Sequence, residues 1–168
     1  MDQKPALPGG NATLSNVHHI GMSVGSLDAA LGFWEPFLGL AARWRTRLDR
    51  PYLSRVVGYP SVAIDAAFID LPGGNVLELL EYRVEGKTPN SDATANPGNV
   101  HVCLSVDDAG KAWKHACDCG ARPIDPAGPV DIDGGPNKGA RAAYLRIHDG
   151  ITLELFQRAR PAAREDSR

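Results

Sequence analysis

Four side chains able to hold a metal ion occur in this chain as two copies of one short pattern. Around His19 the sequence reads His-Ile-Gly-Met-Ser-Val, and 82 positions later, around His101, it reads His-Val-Cys-Leu-Ser-Val. Gly74-Asn75-Val76-Leu77-Glu78-Leu79-Leu80 is echoed 76 positions on by Gly150-Ile151-Thr152-Leu153-Glu154-Leu155-Phe156. A carboxylate inside an apolar strand is costly to bury without a partner. Two of them, at equivalent points of a duplicated unit and each accompanied by an imidazole, need a common explanation. A divalent cation supplies one, with neutral nitrogens from His19 and His101 and hard oxygens from Glu78 and Glu154. A lone strand histidine is usually a satisfied core or surface residue, and a lone glutamate usually sits on a wet face. The duplication argues against that plainer reading. If a pseudo-twofold axis relates the copies, all four side chains meet at one point.

The elements that must position them also repeat. In residues 17–24, Ile20, Met22 and Val24 alternate with His19, Gly21 and Ser23, the period of a strand with one apolar face. Residues 100–106 alternate in the same way, with His101, Cys103 and Ser105 on the less apolar face. His18 should point away from His19. A helix should follow each strand. The first is capped near Ser26 and carries Leu27, Ala30, Leu31, Trp34 and Leu38 on one side, with Gly39 ending it. The second starts at Asp107 or Asp108, carries Ala109, Ala112, Trp113 and Ala116, and ends at Gly120. Trp34 and Trp113 are expected to pin helix to sheet. Strands are expected over 62–71 and 140–147, then tight turns at 72–75 and 148–150, then the glutamate-bearing strands 76–82 and 151–157. His115 and His148 are both expected to be exposed.

Bulk properties narrow the function. The 168 residues fit one domain or two small units sharing a core. A net charge of −2 gives no basic surplus for nucleic acid or an anionic membrane. The chain has no apolar run of the ~20 residues needed to span a bilayer, and residues 1–16 do not read as a secretory signal. The three cysteines are odd in number and lack Cys-x-x-Cys spacing, which suggests reduced thiols and a cytoplasmic protein. Phosphate-loop, nucleophile-elbow and His-Glu-x-x-His motifs are absent from the sequence. The expected organisation is a flexible arm over 1–15, one domain over 16–158 and a flexible tail over 159–168. Within the domain, module one spans 17–85, a linker 86–98 and module two 99–158.

These phrases resemble the vicinal oxygen chelate superfamily, which includes glyoxalase, bleomycin resistance proteins and dioxygenases. The resemblance is carried by residues 18–30, Phe37-Leu38-Gly39-Leu40, residues 71–80, residues 100–108 and residues 143–156. In ligand pattern it is closest to glyoxalase I and methylmalonyl-CoA epimerase. It implies an α+β fold of two βαβββ modules, forming a curled mixed sheet, or cup, around a metal, with helices on the outer face. It also implies metal ligands at His19, Glu78, His101 and Glu154. Two nitrogens and two carboxylates leave two octahedral positions open for water or a bidentate substrate. The activity implied is that of a divalent-metal isomerase, epimerase or lyase. It would abstract a proton next to a carbonyl and proceed through a metal-stabilised enolate. Glu154 or Glu78 would be the base, with Glu154 favoured by analogy.

The substrate would be a small carbonyl or thioester compound. Tyr52, Arg55 and Tyr59, on the long connection after the first helix, are candidate contacts. Asn137 and Arg141 occupy the corresponding second-half loop. The ion could be nickel, cobalt, manganese, zinc or magnesium. One alternative is an Fe(II)-dependent extradiol-type dioxygenase, in which one glutamate is a bystander. Another is a non-catalytic small-molecule-binding protein of the same fold. Phe33-Trp34 departs from the usual glyoxalase I pattern, and no glutathione-binding set of arginines is evident. The basic segment Arg43-Trp44-Arg45-Thr46-Arg47 reads either as a site for an acidic tail or as a solvated edge. A homodimer is expected, with the metal site either inside one chain or shared between two.

Overall fold

In the computed structural model, residues 15–160 are described. Most of the expected arm (1–14) and tail (161–168) lies outside them. The chain forms an α+β fold with two mixed sheets, one in each of two compact units.

The first unit holds the described residues up to Leu27 together with Leu40–Val84. Its strands are β1 (Ile20–Ser23), β2 (Trp44–Leu48), β3 (Ala63–Asp70) and β4 (Val76–Arg83), with the short helix α2 (Leu53–Val57) between β2 and β3. The spatial order is β1-β4-β3-β2, with β1 parallel to β4 and the other pairs antiparallel. Alternation on β4 buries Leu77 and Leu79 completely, while Val76, Glu78 and Leu80 are half-buried on the opposite face. Glu81 shares the buried face and is only 7% exposed. It is satisfied there by the Leu27 amide at 2.8 Å and the Arg83 guanidinium at 2.6 Å. The hairpin between β3 and β4 needs Gly73 and Gly74, both at φ above +80°.

β1 is shorter than its alternation suggests. Its pairing with β4 begins at Ile20, so His19 lies just ahead of the strand, and Ile20 itself is exposed. β2 and α2 fall in segments where the sequence reading placed no regular structure. Arg43, Arg45 and Arg47 are exposed along this edge strand, in keeping with the solvated-edge reading of 43–47.

The second unit holds Asp28–Gly39 and the residues from Glu85 onward. Its elements are α1 (Leu27–Leu38), β5 (His101–Ser105), α3 (Ala109–Asp118), β6 (Arg122–Pro123), β7 (Val130–Asp131), β8 (Arg141–Arg146) and β9 (Thr152–Gln157). The sheet runs β5-β9-β8-β6, and β7 also pairs with β8. Asp108 caps α3 by accepting the Lys111 amide at 2.9 Å. Ala109 and Ala116 are fully buried, as are Leu153 and Leu155 of β9. β5, α3 and the strands after it thus repeat the order of β1, α1 and the strands after that.

Helix α1 follows β1 in sequence, yet from Asp28 onward it belongs to the second unit. Trp34 is fully buried, and its indole N–H donates to His148 Nε2 at 3.0 Å. The Phe37 carbonyl lies 3.1 Å from His115 Nε2, and the two rings stack. His148 is therefore not the exposed turn residue its position suggests. Its side chain is 7% exposed, because the left-handed backbone of Asp149 (φ 56°) turns the hairpin so that the imidazole meets α1. Burial pushes the His148 imidazole below its usual pKa, and the neighbouring Asp149 carboxylate opposes that in part.

Candidate functional site

Each sheet presents its histidine beside its glutamate. His19 Nε2 lies 2.9 Å from Glu78 Oε2, and His101 Nε2 lies 2.9 Å from Glu154 Oε2. The cause is the parallel pairing of the first and last strands of each unit. Gly21 sits opposite Glu78, and Cys103 opposite Glu154. The histidine two residues earlier can then reach the same carboxylate. The glutamate side chains are mostly covered, at 14% and 17% exposure, whereas both imidazoles keep more than a third of their surface open. Each pair thus combines an accessible ring with a carboxylate held in the sheet.

The row across each sheet extends the comparison. In the first unit it reads Gly21, Glu78, Phe68, Trp44. In the second it reads Cys103, Glu154, Tyr144, then Ile124, whose amide donates to the Tyr144 carbonyl. The ring of Phe68 lies 5.9 Å from His19 and 5.1 Å from Trp44. The ring of Tyr144 lies 5.2 Å from His101. The two halves share a layout but differ in chemistry, since the second supplies a thiol and a phenol where the first has hydrogen and an apolar ring. Both groups stay protonated at neutral pH. Burial pushes the Cys103 thiol up to about 11, helped by a hydrogen bond to Glu154 and by its charge. Burial, then the charges of Glu154 and Cys103, raise the Tyr144 phenol.

His18 is not directed away from the site. Its Nδ1 lies 2.7 Å from His19 Nδ1, with the rings edge-on. One of these nitrogens must carry the shared proton. The Glu78 carboxylate only accepts, so His19 Nε2–H donates to it and the shared Nδ1 proton comes from His18.

The proposed substrate contacts are spread more widely. Tyr59 packs against Tyr82, ring centres 6.0 Å apart. The Tyr82 phenol is raised by burial first, then by Glu78, then by Tyr59, which puts Tyr59 at the edge of the first pair's surroundings. Tyr52 and Arg55 lie on the surface at α2. Arg141 is engaged in the sheet edge, paired with Asp131 at 3.0 Å and donating to the Pro129 carbonyl at 3.3 Å. Asn137 is exposed, and its carbonyl accepts the Ala140 amide. Cys103 lay on the histidine's face in the sequence pattern and was legible there. Tyr144 and Phe68 become neighbours of the site only through cross-strand register.

An imidazole nitrogen and a carboxylate oxygen are donors that suit a divalent ion. Among the described residues, no group of three or more His, Cys, Asp and Glu side chains is placed to hold one ion. None of the described helices is long and apolar enough to cross a membrane.

Comparison with known proteins gives a consistent picture. A family model for the Glyoxalase/Bleomycin resistance protein/Dioxygenase superfamily matches residues 18–144. A glyoxalase family protein from Bacillus cereus superposes with a TM-score of 0.76 at 22% identity, covering 92% of this chain and 100% of its own. A glyoxylase/bleomycin resistance protein/dioxygenase domain from Frankia sp. EAN1pec gives 0.63 at 22% identity, covering 92% and 96%. Glyoxalase I from Zea mays gives 0.59 at 21% identity, with 86% of this chain matching 45% of that longer one. No curated protein matches the chain.

Proposed function

The chain belongs to the Glyoxalase/Bleomycin resistance protein/Dioxygenase superfamily, and on that footing we propose that it is a divalent-metal-dependent isomerase, epimerase or lyase acting on a small carbonyl or thioester compound. The observation that carries this reading is the repeated pair, with His19 on Glu78 and His101 on Glu154 at the same 2.9 Å and through the same atoms. The proposed ligand set is His19, Glu78, His101 and Glu154. The proposed unit is a homodimer, and one ion needs both pairs, supplied either by one chain or by one pair from each copy.

When bound, the ion would draw electron density from the substrate carbonyl and so acidify the adjacent carbon. The protein's own part is the proton transfer. Glu154 is the proposed base, by analogy with the proton-transfer enzymes of the superfamily. Glu78 lies between Gly21 and Phe68, which can neither donate nor accept a side-chain proton, and it is assigned to holding the ion.

Elemental analysis should find about one ion per chain, and metal-loaded protein should exchange the α-proton of a substrate for deuterium. The sharing of sites has its own test. His19→Ala and His101→Ala variants each break both sites of a homodimer. Mixed together, half the dimers are heterodimers with one intact and one doubly broken site, so about a quarter of wild-type sites return. No recovery on mixing would rule out a shared site. Oxygen uptake with catechols and ferrous iron, lost in His19→Ala, would replace the isomerase reading with ring cleavage.

A further inference from the structure

The two sheets differ most at their outer edge. In the first unit β2 runs unbroken along β3 from Trp44 opposite Phe68 to Leu48 opposite Ile64, and Trp44 covers the Phe68 ring. In the second unit the edge leaves the sheet after Ile124 and rejoins it at Val130, opposite Ala142. β8 advances two residues, from Tyr144 to Ala142, while the edge advances six. Pro126 and Pro129 lack the N–H needed to continue a ladder, and Gly128 takes a φ of 108° that other residues avoid. The Asp125 carboxylate caps the resulting loop through the Ala127 amide at 2.8 Å, and Arg141 ties it down through Asp131 and the Pro129 carbonyl.

The break leaves a cavity of about 260 Å³, lined by Ile124, Asp125, Gly128, Val130, Ala142 and Tyr144 among others. Ile124 and Val130 are large apolar residues that remain more than half exposed, and they form its mouth. Tyr144 is shared. It forms one wall of the cavity, lies 5.2 Å from His101, and pairs directly with Glu154. The row position that Trp44 holds in the first unit is thus held in the second by the smaller Ile124, with the cavity beside it, next to the pair proposed to act on substrate.

We propose that this cavity receives a compact, uncharged, apolar substituent of the substrate, a ring or short branched alkyl group, while the carbonyl end lies at His101 and Glu154. The second clause rests on the function proposed above. Size sets the class, because a closed apolar cavity of ~150 Å³ accepts benzene, whereas drug-sized ligands need roughly 300 Å³ or more. A coenzyme A or glutathione chain would have to extend out of this cavity into solvent. Charge narrows it further, since the Asp125 carboxylate disfavours an acidic group.

The test uses metal-free full-length protein, so that it does not depend on the metal reading. Benzyl alcohol and benzoate, equal in ring and different in charge, are titrated while amide NMR shifts are recorded. Saturable shifts confined to Gly128, Val130, Ala142 and Tyr144 are expected with benzyl alcohol, and several-fold weaker binding with benzoate. Val130→Trp should fill the cavity and abolish the response. Ile124→Ser, on an exposed position, should weaken it while the remaining spectrum stays folded. Scattered or non-saturating shifts, equal binding of benzoate, or a response unchanged by Val130→Trp would each overturn the proposal. If the pocket binds the probe but no ion is taken up, the metal reading fails and the pocket stands.

Discussion

The contact between Trp34 and His148 makes stability depend on pH in a way that one substitution isolates. The indole N–H donates to His148 Nε2, so that nitrogen must be bare, and the ring proton sits on Nδ1 beside Asp149 Oδ2 at 3.1 Å. A second proton would have to go on Nε2, facing another donor. The groups packed on the imidazole from α1 are Trp34 and Phe33, both uncharged, and Asp149 is the charged neighbour on its own turn. Burial outweighs Asp149 and lowers the imidazole's pKa on folding. The unfolded chain therefore takes up the proton first as pH falls. The contribution of His148 is fully present above the unfolded value of about 6.5 and declines from there down to the folded value. One proton limits the slope to about 1.4 kcal/mol per pH unit. Because the unfolded imidazole is only partly protonated over the unit below pH 6.5, the loss there is at most about 1 kcal/mol, roughly 2–4 °C in Tm for a chain of this size. His148→Gln keeps an acceptor for the indole and cannot titrate. Urea melts at pH 8, 6.5 and 5.5 should show wild type losing stability relative to this variant only below pH 6.5, because the other four histidines are present in both. Parallel curves across the range would refute the buried-acceptor account.

Three further outcomes follow from the same geometry. Glu81→Ala should cost about 2–3 kcal/mol, read from urea midpoints, because it strands the buried Leu27 amide and leaves Arg83 with Asp65 in place of two carboxylates. His18→Phe should weaken metal uptake by roughly 10-fold in competition with a chelator, because His19 loses the partner that orients its ring; undiminished affinity would mean that contact has no such role. Arg141→Ala should release the 125–129 loop from Asp131 and Pro129 and weaken benzyl alcohol binding, with little change in metal content.

The sequence legibly carried whatever depends on local periodicity. Alternation in the 76–82 and 151–157 segments is enough to separate Leu77, Leu79, Leu153 and Leu155, which the fold buries, from Glu78 and Glu154 on the other face. The helical spacing of Leu27, Ala30, Leu31 and Trp34 marked a buried side, and Gly39 marked its end. Duplication was equally visible, because comparing residues within one chain needs no coordinates. The edge strand β2, the broken edge at 124–130 and the exposure of Ile20 were not, because each depends on which strand lies alongside.

Residue types and their repetition alone determined that each half carries one imidazole and one carboxylate on a mixed α/β unit. Only the folded chain decided what surrounds them. Tyr144 and Phe68 reach the pairs across strands, His18 turns its ring onto His19, and His148 is buried under a helix that follows the other unit's first strand. These outcomes come from register and packing between segments far apart in sequence, where the free energy of a contact depends on both partners at once. No local pattern can encode that.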